Sequence, residues 1–266
     1  MNYYLGVDIG STTIKIVLID ESGEMVDKIV SPTGSMFNQN ALDSLDRLLQ
    51  YNNLTRDDLN YIVSTGYGRK LFKISNENVN ELSANAKGAR NSLGDDLKVK
   101  TIINVGGQDT KVIILDDAGK MTNFFMNDKC AAGTGKFLDM SARNLEVEVT
   151  ELEVLHFKAK DTPLPINSIC AVFAESEIIS LLAAGHNTSE IASGIHYSIA
   201  KRITRLAGRG KIQDAVLFDG GTALNKGMVE ALENELMRAV YVNSFPQYTT
   251  SYGAALIAKD RYLDED

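Results

Sequence analysis

The sequence predicts an α/β protein built from two copies of one folding unit that face each other across a cleft. Apolar, β-branched runs alternate with segments of helical periodicity along the chain of 266 residues. A shift of 96 positions lays residues 7–30 over residues 103–126 without a gap. Both copies read strand, glycine, polar turn, strand, glycine turn, strand. Such an internal repeat is the first guide to architecture.

The evidence for the repeat comes more from the shared pattern of strands and turns than from identical residues. Five of the 24 aligned positions are identical, which is weak as a count. The apolar positions between them also match, for example residues 16–19 against residues 112–115. The identical pairs are Gly10 and Gly106, Lys15 and Lys111, Asp20 and Asp116, Gly23 and Gly119, and Met25 and Met121.

The first copy begins with three short strands that predict an antiparallel meander. A helix with its leucines on one face follows, then a fourth strand and a second helix. The predicted strands are 3–9, 13–19, 25–30 and 59–64, and the predicted helices are 39–50 and 81–93. The turn Gly94-Asp95-Asp96 is the predicted domain boundary.

The second copy continues from its own three strands into a more helical region. Residues 150–165, with two of the four prolines, predict an irregular connection or a small excursion. Thr188 is the predicted N-cap of the long helix that follows. Further helices are predicted at 136–144, 174–184, 188–208, 224–237 and 250–262, and further strands at 215–218 and 239–242. The last helix is expected to pack on the first half, so the predicted lobes are 1–96 with 250–266, and 97–249.

Composition excludes several classes of protein. The formal net charge is −8 and the pI about 5.0, which argues against a nucleic-acid partner. No apolar run approaches the roughly 18 residues that a membrane span requires. Two cysteines do not make a disulfide framework, and we expect the reducing cytoplasm. The three histidines match no zinc spacing, so they are predicted surface or packing residues.

Two related turns predict a nucleotide site. The first is Asp8-Ile9-Gly10-Ser11-Thr12-Thr13-Ile14-Lys15, and the second is Asn104-Val105-Gly106-Gly107-Gln108-Asp109-Thr110-Lys111. Glycine lets backbone amides approach phosphate oxygens, while hydroxyls and lysine add donors. A carboxylate at each turn, Asp8 and Asp109, suits a hydrated magnesium ion. One such turn alone would be read as a plain hairpin; two of them and the pair Gly220-Gly221 favour a nucleotide site.

Two other nucleotide motifs are excluded. The segment Gly133-Thr134-Gly135-Lys136 is similar to the end of a Walker A loop. Cys130, however, occupies the position of the first glycine of that motif, and Phe137 replaces its serine or threonine. The sequence also has no G-x-G-x-x-G, which a dinucleotide-binding fold would carry.

The two cysteines each precede a predicted helix. Cys130 lies in Asn127-Asp128-Lys129-Cys130-Ala131-Ala132-Gly133-Thr134-Gly135, and Cys170 lies in Ser168-Ile169-Cys170-Ala171. A helix N-terminus favours a thiolate. Two thiolates are too few for a cubane iron–sulfur cluster, but a twofold homodimer would supply four. Taken alone, each cysteine is better explained as a small buried apolar residue, and only the rest of the chain can favour a cluster.

The motifs together resemble those of a known family. Asp8-x-Gly10-Ser11-Thr12-x-x-Lys15, Gly106-Gly107-Gln108-Asp109 and Gly220-Gly221 resemble the nucleotide motifs of the actin/Hsp70/sugar-kinase superfamily. The segment 126–135 and Cys170-x-Val172-Phe173-Ala174-Glu175-Ser176-Glu177 narrow the resemblance to ATP-dependent activators of 2-hydroxyacyl-CoA dehydratases, a group with related subunits of benzoyl-CoA reductases. Further matches are Thr65-Gly66-Tyr67-Gly68-Arg69, Glu81-Leu82-Ser83 and Tyr252-Gly253-Ala254-Ala255-Leu256.

The resemblance implies an actin-like fold of two ribonuclease-H-like lobes and a homodimer with one [4Fe–4S] cluster. Cys130 and Cys170 would be its ligands, two from each subunit. ATP hydrolysis would drive a low-potential electron from a ferredoxin or flavodoxin into a client iron–sulfur dehydratase or reductase component. Where many members have Cys-His this chain has Ala84-Asn85, and Asp219 and Thr222 flank the third glycine pair. The client therefore stays open.

The resemblance also implies roles for individual residues. Gln108, Asp109 and Asp8 are the predicted catalytic residues, with Asp8 and Asp109 holding Mg²⁺ through water. The remaining predicted ATP or ADP ligands share these motifs or lie beside them. They are Gly10, Ser11, Thr12, Thr13, Lys15, Gly106, Gly107, Gly133, Thr134, Gly135, Lys136, Gly220, Gly221, Thr222, Asn225, Gln247 and Gly253.

Two other functions are weighed against an ATP-driven electron donor. A small-molecule kinase of the same superfamily would need a catalytic aspartate beside an acceptor pocket, and the cysteine segment would then have no use. A non-catalytic nucleotide switch would bind ATP without turnover. Motif specificity favours the electron donor.

Overall fold

A computed structural model describes residues 2–94, 97–160, 162–166 and 170–265 of the chain. Its contacts divide the chain into two compact units. The first comprises Met1–Lys98, Gly119–Met121 and Gln247–Asp266, and the second comprises Val99–Ala118 and Thr122–Pro246. The predicted lobes, 1–96 with 250–266 and 97–249, stay a prediction, and this division by contacts also assigns residues 119–121 to the first unit. Of the predicted boundary turn, positions 95 and 96 lie outside the described residues.

The first unit contains a five-stranded mixed sheet in the order β3-β2-β1-β4-β5. Its strands are β1 (Tyr3–Ile9), β2 (Thr13–Ile19), β3 (Met25–Pro32), β4 (Leu59–Thr65) and β5 (Glu77–Asn78). β1, β2 and β3 form the predicted antiparallel meander, and β4 runs parallel to β1. The central strands are almost fully buried because apolar β-branched residues occupy both of their faces.

Three α-helices complete the first unit within the residues that the structure describes. They are α1 (Phe37–Tyr51), α2 (Glu81–Arg90) and α8 (Thr249–Glu265). α1 buries its leucine face, including Leu45 and Leu48, in the core that covers the sheet. α8 packs on α2 and on β1, as predicted for the C-terminal helix.

The second unit repeats this sheet with the order β10-β9-β6-β7-β8. Its strands are β6 (Thr101–Val105), β7 (Thr110–Leu115), β8 (Met121–Asn127), β9 (Val216–Asp219) and β10 (Val240–Tyr241). The register also repeats: Gly6 lies opposite Val17 in the first sheet, and Ile102 lies opposite Ile113 in the second. Each partner is shifted by the 96 positions of the sequence repeat, so the two sheets are copies of one unit.

In the described part of the second unit, five α-helices accompany the sheet. They are α3 (Gly135–Asn144), α4 (Glu151–Lys158), α5 (Ala171–Ala183), α6 (Thr188–Ala207) and α7 (Lys226–Leu236). α6 is the central helix, with Ile191, Ile195 and Ile199 in the core. Its N-cap is Asn187 and the predicted Thr188 is wrong, because the Asn187 side chain accepts the Ser189 N–H at 2.9 Å.

α4 occupies residues 151–158 of the stretch 150–165, so the prediction of an irregular connection is wrong for that part of the stretch. Only Leu152 and His156 of this helix are buried, one turn apart. A stripe of two residues, one of them a histidine, is too narrow to register as helical periodicity. Glu151 and Glu153 lie in its first turn, where negative charges stabilise a helix through its dipole.

Other predicted elements occur with shifted ends. α5 starts three residues earlier than expected, and a 3-10 turn, Gly221–Leu224, precedes α7. Strand ends move by one or two residues, which is the usual uncertainty of such boundaries. No helix in the described part of the chain combines the length and apolarity needed to cross a bilayer.

Candidate functional site

The hairpin turn between β1 and β2 carries the first set of predicted phosphate ligands. The Gly10 N–H donates to the Thr13 carbonyl at 3.1 Å and closes the turn. The Thr33 hydroxyl donates to the Gly10 carbonyl at 2.8 Å and holds the turn from the end of β3. Ser11 and Thr12 at the tip are exposed. The turn therefore presents hydroxyls and amides to solvent on a fixed backbone, which suits an anion.

Asp8, at the end of β1, is buried beside this turn with 4% of its surface exposed. Its Oδ2 accepts from Lys15 Nζ at 3.3 Å. Its Oδ1 is buried and has no hydrogen-bond partner among the described residues. A buried acceptor without a donor is costly. Water molecules around a Mg²⁺ ion would supply donors, so Asp8 fits the predicted role of a water-mediated magnesium ligand.

The equivalent turn between β6 and β7 carries Gly107, Gln108 and Asp109. The Gly106 N–H donates to the Asp109 carbonyl at 2.9 Å. The Asp109 carboxylate accepts from Lys111 Nζ at 2.8 Å, and the two side chains are 10% and 3% exposed. A charge-assisted hydrogen bond shielded from water holds this carboxylate rigidly. The half-buried Gln108 lies next to it at the tip of the turn.

The third glycine pair follows β9. Gly220 has a φ of +89°, and a Cβ at this position would collide with the Val105 carbonyl. The Thr222 hydroxyl donates to the same carbonyl at 3.2 Å. The turn at 220–222 is therefore fastened to the end of β6, directly before Gly106. Glycine is required because a side chain at Gly220 would separate the two strands.

Asn104 and Asp219 form a buried pair below these turns. The Asn104 Nδ2 donates to Asp219 Oδ1 at 2.7 Å, and Asp219 is fully buried. This pair joins the ends of β6 and β9. It gives Asp219, which departs from the apolar residue of the resembled family, a structural partner within the second unit.

The loop that carries Cys130 is held by several hydrogen bonds. The Asn127 Nδ2 donates to the Cys130 carbonyl at 2.9 Å. The Thr134 hydroxyl donates to the Ala131 carbonyl at 2.7 Å. Gly133 has a φ of +87°, and a Cβ there would lie 2.8 Å from Cδ of Arg202. Cys130 itself is half-buried, so its thiol is neither deep in the core nor fully exposed.

The same loop is hydrogen-bonded to the turn at 106–109. The Gly135 N–H donates to the Gly106 carbonyl and the Lys136 N–H to the Gly107 carbonyl, both at 2.9 Å. The buried Thr110 hydroxyl donates to the Gly133 carbonyl at 2.6 Å. Three bonds thus join the predicted phosphate turn to the first residues of α3 and the cysteine loop. A shift of one segment changes the hydrogen bonds of the other.

Cys170 is the N-cap residue of α5 and is also half-buried. α3 packs against α5. Ala131 and Ala171, the residues that follow the two cysteines, line one cavity of about 430 Å³. Of the predicted segment around Cys170, positions 168 and 169 lie outside the described residues. Cys130 and Cys170 thus border the same part of the second unit.

The described residues offer no group of three or more histidine, cysteine or acidic side chains able to hold a metal ion. Two half-buried thiols within one chain match the donor type of an iron–sulfur cluster and supply half the number that a cubane needs. The donor set therefore fits a [4Fe–4S] cluster only when a second copy of the chain supplies the other two thiols.

The remaining predicted ligands are placed as follows. Lys136 is exposed in the first turn of α3, and Asn225 is the N-cap of α7. Gln247 lies in the short 3-10 turn Pro246–Tyr248. Gly253 lies in α8, where a Cβ would collide with the Ala84 carbonyl of α2. Close packing of two helices accounts for a glycine at 253, and its nucleotide role stays a prediction.

Sequence reasoning named Thr110 and Asn127 within their motifs but did not predict their hydrogen bonds to the cysteine loop. Both residues hold this loop from the ends of two strands. Arg202, which reaches the loop from α6, has no clear signal in the sequence. Gly66, after β4, repeats the geometry of Gly220, with a φ of +84° and its missing Cβ 2.5 Å from the Ile9 carbonyl oxygen. The motif Thr65-Gly66 was the one available signal, since it ends a strand as Asp219-Gly220 does.

The fold has relatives among solved structures. The activator of the 2-hydroxyisocaproyl-CoA dehydratase from Clostridium difficile, with bound ADPNP, superposes with a TM-score of 0.92 at 39% identity, covering 99% of this chain and 96% of that one. A ROK family glucokinase from Streptomyces griseus superposes with a TM-score of 0.56 at 13% identity, covering 97% and 99%. The second likeness shows the fold alone and confirms the predicted actin/sugar-kinase class.

Sequence relatives confirm the narrower resemblance. The activator of lactoyl-CoA dehydratase from Anaerotignum propionicum is 43% identical over 258 residues, covering 96% of this chain and 97% of that protein. The (R)-2-hydroxyglutaryl-CoA dehydratase activating ATPase from Acidaminococcus fermentans is 41% identical over 257 residues, covering 96% of each. The BadF/BadG/BcrA/BcrD ATPase family model matches residues 5–258. These matches and the geometry of its turns place the chain in the BadF/BadG/BcrA/BcrD ATPase family.

Proposed function

We propose that this chain is an ATP-driven electron donor that activates a 2-hydroxyacyl-CoA dehydratase or a related iron–sulfur enzyme. Two copies would share one [4Fe–4S] cluster through Cys130 and Cys170. The observation that carries this proposal is the direct bonding between the turn at 106–109 and the cysteine loop. A kinase has no need to join its phosphate turn to a pair of half-buried thiols.

The nucleotide roles follow from the chemistry of the turns. The amides and hydroxyls at 10–13 would bind phosphate oxygens, with Lys15 adding a positive charge. Asp8 and Asp109 would hold a hydrated Mg²⁺ ion. Gln108 would orient the attacking water, since phosphoryl transfer is catalysed mainly by positioning and charge stabilisation. The turn at 220–222 with Asn225 would bind the adenosine part.

Hydrolysis would be communicated through the second turn. When ATP and water become ADP and phosphate, the contacts of Gln108 and Asp109 change. Those changes reach Gly135, Lys136 and Gly133 through the three hydrogen bonds between the turn and the loop. A nucleotide can shift the position of α3 only if its ATP and ADP states differ in such contacts.

The thiolates of Cys130 and Cys170 would hold the cluster beside the N-termini of α3 and α5, where backbone amides favour negative charge. When bound, the [4Fe–4S] centre supplies one-electron chemistry: one electron enters from a ferredoxin or flavodoxin and the same electron leaves to the client protein. Small changes in amide hydrogen bonding near the sulfurs change the reduction potential of such a centre.

Iron analysis tests the dimer and its cluster. Protein purified without oxygen should be brown and contain about four irons per dimer. Changing Cys130 or Cys170 to Ala should abolish the iron while leaving ATP binding intact. Colourless, iron-free wild-type protein from the same procedure would defeat the proposal.

Product analysis separates the proposed function from a kinase. With ATP, a reduced ferredoxin or flavodoxin and the client enzyme, the proposal predicts phosphate release linked to reduction of the client. A phosphorylated small-molecule acceptor would instead identify a kinase. ATP binding without turnover under these conditions would identify a nucleotide switch.

A further inference from the structure

Two histidines form a buried pair that the proposed chemistry does not use. His156 in α4 is 4% exposed and His196 in α6 is fully buried. Their Nδ1 atoms are 2.9 Å apart, which is a hydrogen bond between the rings. Burying two imidazoles requires that their ring nitrogens find partners. The partners define a chain of hydrogen bonds with one direction.

The chain of hydrogen bonds starts at Asn225, whose own contacts fix which atoms donate and which accept. The Met228 N–H, which can only donate, bonds to Asn225 Oδ1 at 3.1 Å. The Asn225 amide nitrogen therefore faces His196 Nε2, at 3.2 Å, and donates to it. Because Nε2 of His196 accepts, the proton of its neutral ring lies on Nδ1. That proton is donated to Nδ1 of His156.

The outer end of the chain faces Glu230. Because Nδ1 of His156 accepts from His196, its own proton lies on Nε2. Nε2 is 3.8 Å from Oε1 of Glu230, whose side chain is 46% exposed. The hydrogen bonds thus run from the N-cap of α7 through the two rings on α6 and α4. The Glu230 carboxylate, further along α7, lies 3.8 Å beyond the last ring, which is an electrostatic contact rather than a hydrogen bond.

Gly227 allows the rings to lie directly against α7. A Cβ at this position would be 2.8 Å from Cγ of His156 and 2.9 Å from Cε1 and Nδ1 of His196. The ring of His156 also stacks on Tyr197, with centroids 6.0 Å apart. The histidine pair is therefore fixed against the first turn of α7 by contact as well as by hydrogen bonds.

The first turn of α7 continues the turn at 220–222. The Asn225 N–H donates to the Thr222 carbonyl at 3.1 Å, and the Ala223 N–H donates to the Gly220 carbonyl at 3.2 Å. We propose that His196 and His156 are positioning residues that orient the Asn225 amide and this turn for the adenosine part of the nucleotide. The proposal rests on the nucleotide binding proposed above.

Burial keeps both imidazole rings neutral, and the chain of hydrogen bonds requires neutral rings. Burial and the neighbouring His156 lower the pKa of His196 to about 3. Burial also lowers the pKa of His156, although Glu230 opposes that change. A second proton on either ring would place two N–H groups against each other, or an N–H against the Asn225 amide. The chain therefore has a single arrangement of protons at neutral pH.

Ligand binding by variants tests the positioning role. In His196→Leu the Asn225 amide loses its acceptor, and we expect the Kd of ADP to rise about tenfold, as for loss of one good hydrogen bond. The Kd of magnesium tripolyphosphate, which has no adenosine, should stay unchanged. His156→Asn, whose Oδ1 can replace Nδ1 as acceptor, should bind ADP nearly as well as wild type. His156→Leu should not.

His186→Leu is the matched control, because His186 is exposed and outside the chain. It should leave both affinities unchanged. If His196→Leu weakens ADP and tripolyphosphate equally, or neither, the positioning role is overturned. If wild type itself binds no ADP, the proposed nucleotide site fails, and the positioning role fails with it.

NMR tests the chain in the wild-type protein, whether or not a variant folds. Long-range ¹H–¹⁵N correlations distinguish the tautomers of neutral histidines. We expect the Nδ1–H tautomer for His196 and the Nε2–H tautomer for His156 at pH 7. The opposite assignment, or a charged ring at either position, would overturn the chain independently of any nucleotide measurement.

Discussion

The turns at 10–13 and 106–109 have the same backbone and different surroundings. Each is closed by the same hydrogen bond, from Gly10 to Thr13 in one and from Gly106 to Asp109 in the other. The first turn carries hydroxyls at an exposed tip. The second carries a glutamine and a buried carboxylate. One backbone unit thus carries two kinds of side chain, and we propose that they serve phosphate binding in one copy and hydrolysis in the other.

The difference extends to the residues that flank the turns. Position 110 of the second copy corresponds to position 14 of the first. Ile14 is fully buried in the core, whereas the Thr110 hydroxyl bonds to the Gly133 carbonyl. Likewise Ser31 bonds to Ser44 of α1, whereas its counterpart Asn127 bonds to the Cys130 carbonyl. At both positions, the second copy directs a polar side chain to the cysteine loop, whereas the first copy uses its residue within its own core or for a bond to α1.

The largest expected effect distinguishes the role of the Asp109 carboxylate from that of the Asp8 carboxylate. Asp109→Asn should lower the rate of ATP hydrolysis by about 10²- to 10³-fold, as for other losses of charge stabilisation at a reacting phosphate. Asp8→Asn should act mainly on the magnesium dependence of ATP binding. Single-turnover hydrolysis and binding titrations with magnesium measure the two effects. Equal losses of both properties in both variants would contradict a division of roles between the turns.

Matched glycine variants test whether the two copies share their backbone constraint. Gly220→Ala and Gly66→Ala should each destabilise the protein by about 3 kcal/mol, because positive φ and a clash with a carbonyl oxygen combine. Gly210→Ala, where a Cβ would meet nothing within 4 Å, should change stability by less than about 0.5 kcal/mol. Urea denaturation measures all three. A neutral Gly66→Ala would show that the first copy is less constrained than the second.

Acid should destabilise the second copy through its histidines. Because the pKa values of His196 and His156 are lowered in the fold, the unfolded chain binds more protons below pH 6.5. Stability is fully present above pH 6.5 and decreases as the pH falls toward 3. His196, which stays neutral in the fold over this range, contributes a loss of roughly 1 kcal/mol between pH 6.5 and 5.5.

Urea denaturation at several pH values measures this loss. His196→Gln should reduce the slope of stability against pH, while His186→Gln should leave it unchanged. Among the described residues, Glu230, at 3.8 Å from His156, and Tyr197, stacked on it, are titratable groups that face the pair. A slope that is the same in His196→Gln and wild type would exclude His196 as its source.

The smallest expected effect tests the Thr110 hydroxyl. Thr110→Val removes its bond to Gly133 and should cost about 1 kcal/mol. We expect the alkylation rate of Cys130 in cluster-free wild-type protein to differ between the ADP and ADPNP states. The Thr110→Val variant should reduce this difference. Ile14→Val, at the equivalent position of the first copy, should leave that difference intact. An unchanged difference in Thr110→Val would remove this hydroxyl from the coupling.

The sequence predicted the architecture well because the repeat and the strand periodicity are local signals. A shift of 96 positions predicts even the partner of each residue in the second hairpin. α4 was missed because its buried stripe has only Leu152 and His156. The resemblance to dehydratase activators came from motifs that lie within short stretches of chain.

The contacts that join these motifs were not predictable in the same way. Thr110 and Gly133 are 23 positions apart, and His156 and His196 are 40 apart. No periodicity links such pairs, and a lone threonine or histidine is more often a packing residue. The predicted roles of Gln108, Asp109 and the other nucleotide ligands are chemical assignments that still require the measurements above.

Amide hydrogen exchange at Gly135 and Lys136 tests the central claim most directly. These two N–H groups donate to the Gly106 and Gly107 carbonyls and thereby connect the nucleotide turn to the cysteine loop. We predict that their exchange rates differ between the ADP and ADPNP states while amides in the core of α6 stay unchanged. Equal rates at both amides in both states, with nucleotide bound, would contradict the account.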